Sequence, residues 1–208
     1  MRKHALVWIM LIAFCFIGLP IINERDEITG RVVQEIGMIE KTLGRDDTNY
    51  VVKTATEIYN AVFVESGFVR TSKRMQTTKE EKISSQEAFG GSVRSLSDKT
   101  DEYLLGFSAL CYASIVRLVI LFTWLPYIAP YLTAVAIDAS MVRKIKFHTF
   151  GESSRVQFSI AAHVLIAMLF LPVLYLVAPL PVTPLFIPFW TLAASVPIVM
   201  VISNTQRI

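Results

Sequence analysis

Asp138 to Arg155, reading DASMVRKIKFHTFGESSR, separates two long apolar segments and gathers Arg143, Lys144, Lys146 and Arg155 within eighteen positions. Clustered Lys and Arg beside membrane-helix ends resist translocation, so this stretch is expected to stay in the cytoplasm as a short loop. Its placement sets the direction of every other segment.

The surrounding composition agrees. The chain has 208 residues, 53% apolar and 18% charged. Mean hydropathy is +0.51. A soluble domain is nearer a quarter charged and does not collect its apolar residues into long blocks. Net charge is +3, but the distribution says more. Glu24 to Glu102 holds 12 Lys+Arg and 15 Asp+Glu. Outside it, the basic residues are Arg2, Lys3, Arg117, Arg143, Lys144, Lys146, Arg155 and Arg207, while Asp138 and Glu152 are the only acids. Two faces of a membrane would produce this split.

The apolar blocks give an all-α membrane protein with four transmembrane helices and a helical extracytoplasmic region between spans 1 and 2. Residues 1–23 form an N-terminal anchor: Arg2, Lys3 and His4 precede the apolar run Ala5 to Ile22, and Asn23-Glu-Arg-Asp-Glu follows. This order puts the N-terminus inside. The run is longer than a signal-peptide core and no Ala-x-Ala cleavage pattern follows, so an uncleaved anchor is expected.

Residues 24–103 are polar but patterned. Ile28, Val32, Ile36, Ile39 and Leu43 step by four, four, three and four, which is one helix face. Gly44 is a natural stop. Asp46, Asp47 and Thr48 offer N-cap residues for a second helix, in which Val51, Ala55, Ile58 and Val62 share a face. Thr71 to Ser97, with Gly90-Gly91 inside it, reads as a loop. Ser97 is the expected cap of the next helix.

Residues 104–208 supply the remaining spans. Tyr103 to Ile137 is apolar except for Arg117. As one helix these residues would run roughly 50 Å, well beyond the ~30 Å hydrocarbon core. A span at Leu118 to Ile137 leaves Arg117 at the outer interface, whereas a span beginning at Leu104 buries it at a cost of at least ~2.5 kcal/mol. The first is preferred, with Leu104 to Val116 packing on the extracytoplasmic helices. Ser154-x-x-Gln157 has the form of a capping box opening the third span, Phe158 to Ala178. Pro179, Pro181 and Pro184 mark an outer turn, and the fourth span runs to Ile202. Both termini are then cytoplasmic and residues 24–103 periplasmic.

Candidate contacts with a partner follow from the isolated charges: Arg117, Asp138, Arg143, Lys144, Lys146, Glu152 and His163. Arg117 reads either as an ionic contact with a partner helix or as a residue snorkelling to headgroups and packing beneath the extracytoplasmic helices. His163 lies about one turn inside the third span, at a depth that would let it pair with Asp138. The basic cluster suits anionic lipid or an acidic partner surface. Four charges without interleaved aromatic residues make a poor footprint for nucleic acid, so no direct nucleic-acid binding is expected. Cys15 and Cys111 lie inside apolar runs and read as small buried hydrophobes, with no metal-binding spacing. Neither a Gly-rich phosphate loop, a His-Glu-x-x-His pair nor a Gly-x-Ser-x-Gly elbow is present, and no cofactor is expected.

Arg117-Leu118, Leu125-Pro126, Asp138-x-x-x-Val142-Arg143-Lys144 and Phe150-Gly151-Glu152-Ser153-Ser154 occur in an order that resembles the integrating conjugative element membrane proteins, a family classed under a domain of unknown function. The likeness covers Arg117 to Val182. Ala139 stands where that family carries Gly, and Gln157-Phe158 where it carries Tyr-His. The resemblance implies a non-enzymatic inner-membrane accessory subunit of a conjugative type IV secretion system. Such a subunit would bind the coupling ATPase or link it to the secretion channel. The alternatives are a small transporter or channel subunit, suggested by prolines in the spans and Arg117, and a sensor-like receptor, suggested by the extracytoplasmic helices. The lipid bilayer is a partner in all three, and a homo-oligomer is the other assembly open to the chain.

Overall fold

The structure is a computed structural model that describes residues 2–22, 25–70, 91–149, 154–178 and 180–205. It is helical, with no strand among the described residues. The elements are α1 (Arg2–Ile22), α2 (Arg25–Leu43), α3 (Arg45–Tyr59), which continues into a π-helical turn at Asn60–Glu65, α4 (Gly91–His148), α5 (Arg155–Val177) and α6 (Phe186–Asn204). Three helical stretches are long and apolar enough to cross a membrane: Lys99–His148 of α4, α5 and α6. The expected first span corresponds to α1, an apolar helix of 21 residues. It passes the same test only jointly with α2, across the bend between them.

Several boundaries differ from the sequence expectation. The basic stretch is not a loop from Asp138: α4 continues to His148. No Gly or Pro lies between Pro130 and Gly151, and Lys146 and His148 fall in the last turn, where cations suit the helix dipole. Gly151 and Glu152 lie outside the described residues. At the other end α4 opens at Gly91, so Ser97 is inside the helix rather than at its start. The rest of the expected loop, residues 71–90, is also outside the described residues.

The chain divides into two compact units, residues 13–119 with 176–182, and residues 1–12 with 120–175 and 183–208. In the first unit, α2 ends as its pattern predicts. Gly44 takes a φ of 90°, which only glycine adopts without strain, and its N–H donates to Glu40 O at 3.0 Å. The same glycine is the N-cap of α3. Asp46 and Asp47 therefore fall in the first turn, and the Thr48 hydroxyl donates back to Gly44 O. Ile28, Ile39, Val51 and Ala55 are buried. Val62 is not: it is 53% exposed. The π-helical turn after Tyr59 closes with i→i+5 bonds and rotates less per residue than an α-helix, so the α-helical stepping no longer keeps Val62 on the buried face.

Leu110, Cys111, Ala113, Ile115 and Val116 of α4 are buried within this unit. Tyr59 and Ser108 share a hydroxyl–hydroxyl hydrogen bond. The Tyr59 and Tyr112 rings meet edge to face at 5.7 Å. α4 passes beside α2 at Gly106, where a Cβ would meet Ile28 Cδ1 at 3.4 Å, an ordinary van der Waals contact.

In the second unit, Ile120, Ile128, Ala139, Ala161, Ala162, Tyr175, Ile187 and Ala194 form the apolar interior. The small residues allow close helix approach. Pro172 lies inside α5 and cannot donate to Met168 O four residues back. Trp190 Nε1 of α6 donates to that carbonyl at 2.8 Å. The proline is thus tolerated because a neighbouring helix satisfies the group it frees. The expected cap of α5 is present: Gln157 N donates to Ser154 Oγ at 3.3 Å.

Candidate functional site: a buried ion pair and a basic helix end

The isolated charge of the second apolar block, Arg117, is 3% exposed. It neither snorkels nor remains available at the surface. Its partner is Glu35 of α2, also 3% exposed. Glu35 stands seven positions after Ile28, three after Val32 and four before Ile39, so it shares the buried face of α2. The contact is bidentate: Arg117 Nε donates to Glu35 Oε1 at 2.9 Å and Nη2 to Oε2 at 2.8 Å.

The rest of the guanidinium serves the end of α5. Arg117 Nη1 donates to Leu176 O at 3.3 Å and to Ala178 O at 2.6 Å, and Nη2 donates to Leu180 O at 2.9 Å. All five N–H donors therefore have acceptors. The last carbonyls of a helix lack partners within it, and Arg117 supplies them along with a positive charge where the dipole favours one. The Ser114 hydroxyl adds a further donor within 2.9 Å of Leu176 O. Burial raises the Glu35 carboxyl above its ordinary pKa, while the hydrogen bonds and charge of Arg117 oppose that rise. The arrangement is a structural clamp between α2, α4 and the segment after α5.

The second cluster is the end of α4. Arg143 and Lys146 are half-buried and Lys144 is exposed. Lys146 Nζ donates to Asn204 Oδ1 at 3.1 Å, and Asn204 is itself buried at the end of α6. Asp138 and His163 are both exposed, and His163 Nδ1 lies 2.7 Å from Ser159 O on its own helix. No ion pair joins Asp138 to His163 among the described residues. Each sits on its own helix surface instead. Glu152 cannot be placed, since it lies outside the described residues.

Sequence reasoning found Arg117 and the basic cluster but missed Glu35. The available signal was a carboxylate on the α2 stripe, at a spacing of four, three and four with Ile28, Val32 and Ile39. Among the described residues no group of three or more His, Cys, Asp or Glu is placed to hold a metal ion.

No curated protein and no solved structure matches the chain. A family model does, over residues 31–208. That span includes both the motifs read between Arg117 and Val182 and the Glu35 side of the clamp. The chain belongs to the DtrJ-like family, described as IncC plasmid conjugative DNA transfer protein DtrJ-like, and its role lies in conjugative DNA transfer.

Proposed function

We propose that this protein serves conjugation as a non-enzymatic inner-membrane subunit, binding the coupling ATPase of the transfer apparatus or linking it to the secretion channel. α1, α4, α5 and α6 supply the four spans in this reading. α2 and α3 lie on the periplasmic side, and both termini and the end of α4 are cytoplasmic.

The observation that carries the reading is the contrast between two sets of polar groups. Glu35 and Arg117 are sealed inside the fold and have every hydrogen bond made. Asp138 and His163 stand exposed, at the end of the apolar stretch of α4 and within that of α5. An ionisable group facing hydrocarbon is costly, and a protein neighbour relieves that cost. A partner helix lying along α4 and α5 would be such a neighbour. The exposed Phe122, Ile137, Ile160 and Leu169 provide apolar contact area on the same helices.

The test is recovery of the tagged protein in mild detergent from donor cells that carry the transfer genes. Co-recovery of the coupling ATPase in fixed ratio, reduced when Asp138→Leu and His163→Leu are combined, is the expected result. Recovery of the protein alone, with transfer frequency unaffected by its deletion, overturns the proposal.

A further inference from the structure

We propose that the α4 end and the start of α5 form a binding surface for anionic phospholipid headgroups, with Arg143 and Lys144 as the principal phosphate contacts. The inference rests on the reading of α4, α5 and α6 as spans, but not on the identity of the protein partner.

Length places these residues. α5 has 23 residues and α6 has 19. At 1.5 Å per residue they run roughly 35 and 28 Å, so each crosses a ~30 Å hydrocarbon core with little to spare. The start of α5 and the end of α6 therefore lie at a membrane boundary. Lys146 ties α4 to that same layer through Asn204. Arg155 opens α5 six residues after Thr149, which brings a fourth cation to it.

The charge there is one-sided. After Asp138 the only acid in the sequence is Glu152. Asp138 itself precedes Lys144 by six residues, roughly 9 Å along the helix. Arg143, Lys144 and Lys146 thus face few acids along their own end of the helix. Lys146 is engaged with Asn204, so Arg143 and the exposed Lys144 are the better placed for a ligand.

The apolar neighbours choose the occupant. Met141, Ile145 and Phe147 alternate with the cations along the end of α4, and Ile145 is 61% and Phe147 65% exposed. Val156 continues the pattern at the start of α5 and is 68% exposed. An acidic protein surface would answer the charges but leave large aliphatic and aromatic side chains against polar groups. A phospholipid offers a phosphate and acyl chains side by side, which matches both.

The experiment uses the full-length protein. Membrane fractionation comes first: a chain left in the soluble fraction would sink the membrane reading and this inference together. The membrane-extracted protein is then exchanged into equal amounts of phosphatidylglycerol and phosphatidylcholine, and retained lipid is counted by native mass spectrometry. Preferential retention of phosphatidylglycerol is expected. It should fall roughly thirtyfold in Arg143→Gln/Lys144→Gln, as two interfacial charges worth about 1 kcal/mol each are removed. Arg143→Lys/Lys144→Arg keeps the charges and should keep the lipid, which separates charge from misfolding. Equal retention of the two lipids, or unchanged preference in the Gln variant, overturns the proposal. Loss of the coupling ATPase from that variant with lipid retention intact would assign the surface to protein and overturn it as well.

Discussion

Glu35 and Arg117, 82 positions apart in sequence, meet in a bidentate ion pair from which solvent is excluded. A buried pair of this kind adds little stability over a well-packed apolar pair, but breaking it leaves a charge stranded. Glu35→Gln is expected to lower stability by about 3–5 kcal/mol. Arg117→Met should cost more, because it strands the carboxylate and also removes the donor to the carbonyls of Ala178 and Leu180, while Leu176 O keeps the Ser114 hydroxyl. Arg117→Lys keeps the charge but has three donors on one atom, so it should fall between wild type and Arg117→Met. Thermal unfolding of the detergent-solubilised variants orders them. Equal stability of Glu35→Gln and wild type would contradict the clamp.

The two halves of that clamp were unequally legible. Arg117 stands out because it interrupts more than thirty apolar residues. Glu35 does not, because it sits in a polar segment where carboxylates are common and the stripe can be drawn through Ile36 instead. Only the fold brings the two together. The helices and most of their ends follow from local pattern, as Gly44 and Ser154 illustrate. Of the limits that fail, Asp138 rests on charge and polarity, and Ser97 on a polar, glycine-containing stretch read as a loop. Polarity marks where a helix leaves hydrocarbon, whereas a helix ends where the backbone is broken or capped.

This distinction can be measured at Met141, which is half exposed and lies in the part of α4 that polarity assigned to a loop. Met141→Pro removes a backbone donor and clashes with the preceding turn, a cost of about 3 kcal/mol in a helix interior. Met141→Ala should be nearly neutral. A loop would accept both. Comparable unfolding temperatures for the two variants would return the 138–148 segment to a loop.

The π-helical turn after Tyr59 separates two valines that a regular helix would align. Val51 is fully buried and Val62 is 53% exposed. Val51→Lys should therefore destabilise strongly, through an unpaired charge in an apolar setting. Val62→Lys should stay within about 0.5 kcal/mol of wild type, as surface substitutions usually do. Similar losses at both positions would show that α3 continues as a regular helix and keeps Val62 inside.

Trp190 and Pro172 make a linked prediction. The indole N–H donates to Met168 O because Pro172 has no N–H to offer it. Trp190→Phe keeps most of the ring volume and removes only the donor, so it should cost about 1 kcal/mol, in line with hydrogen bonds between membrane helices. Pro172→Ala restores a backbone donor within α5. In that background the Met168 carbonyl no longer depends on the indole, and Trp190→Phe should cost less. The double-mutant cycle therefore carries the test: a positive coupling between positions 172 and 190 identifies the indole as the replacement donor. Strict additivity would mean that Trp190 holds α6 against α5 by packing alone.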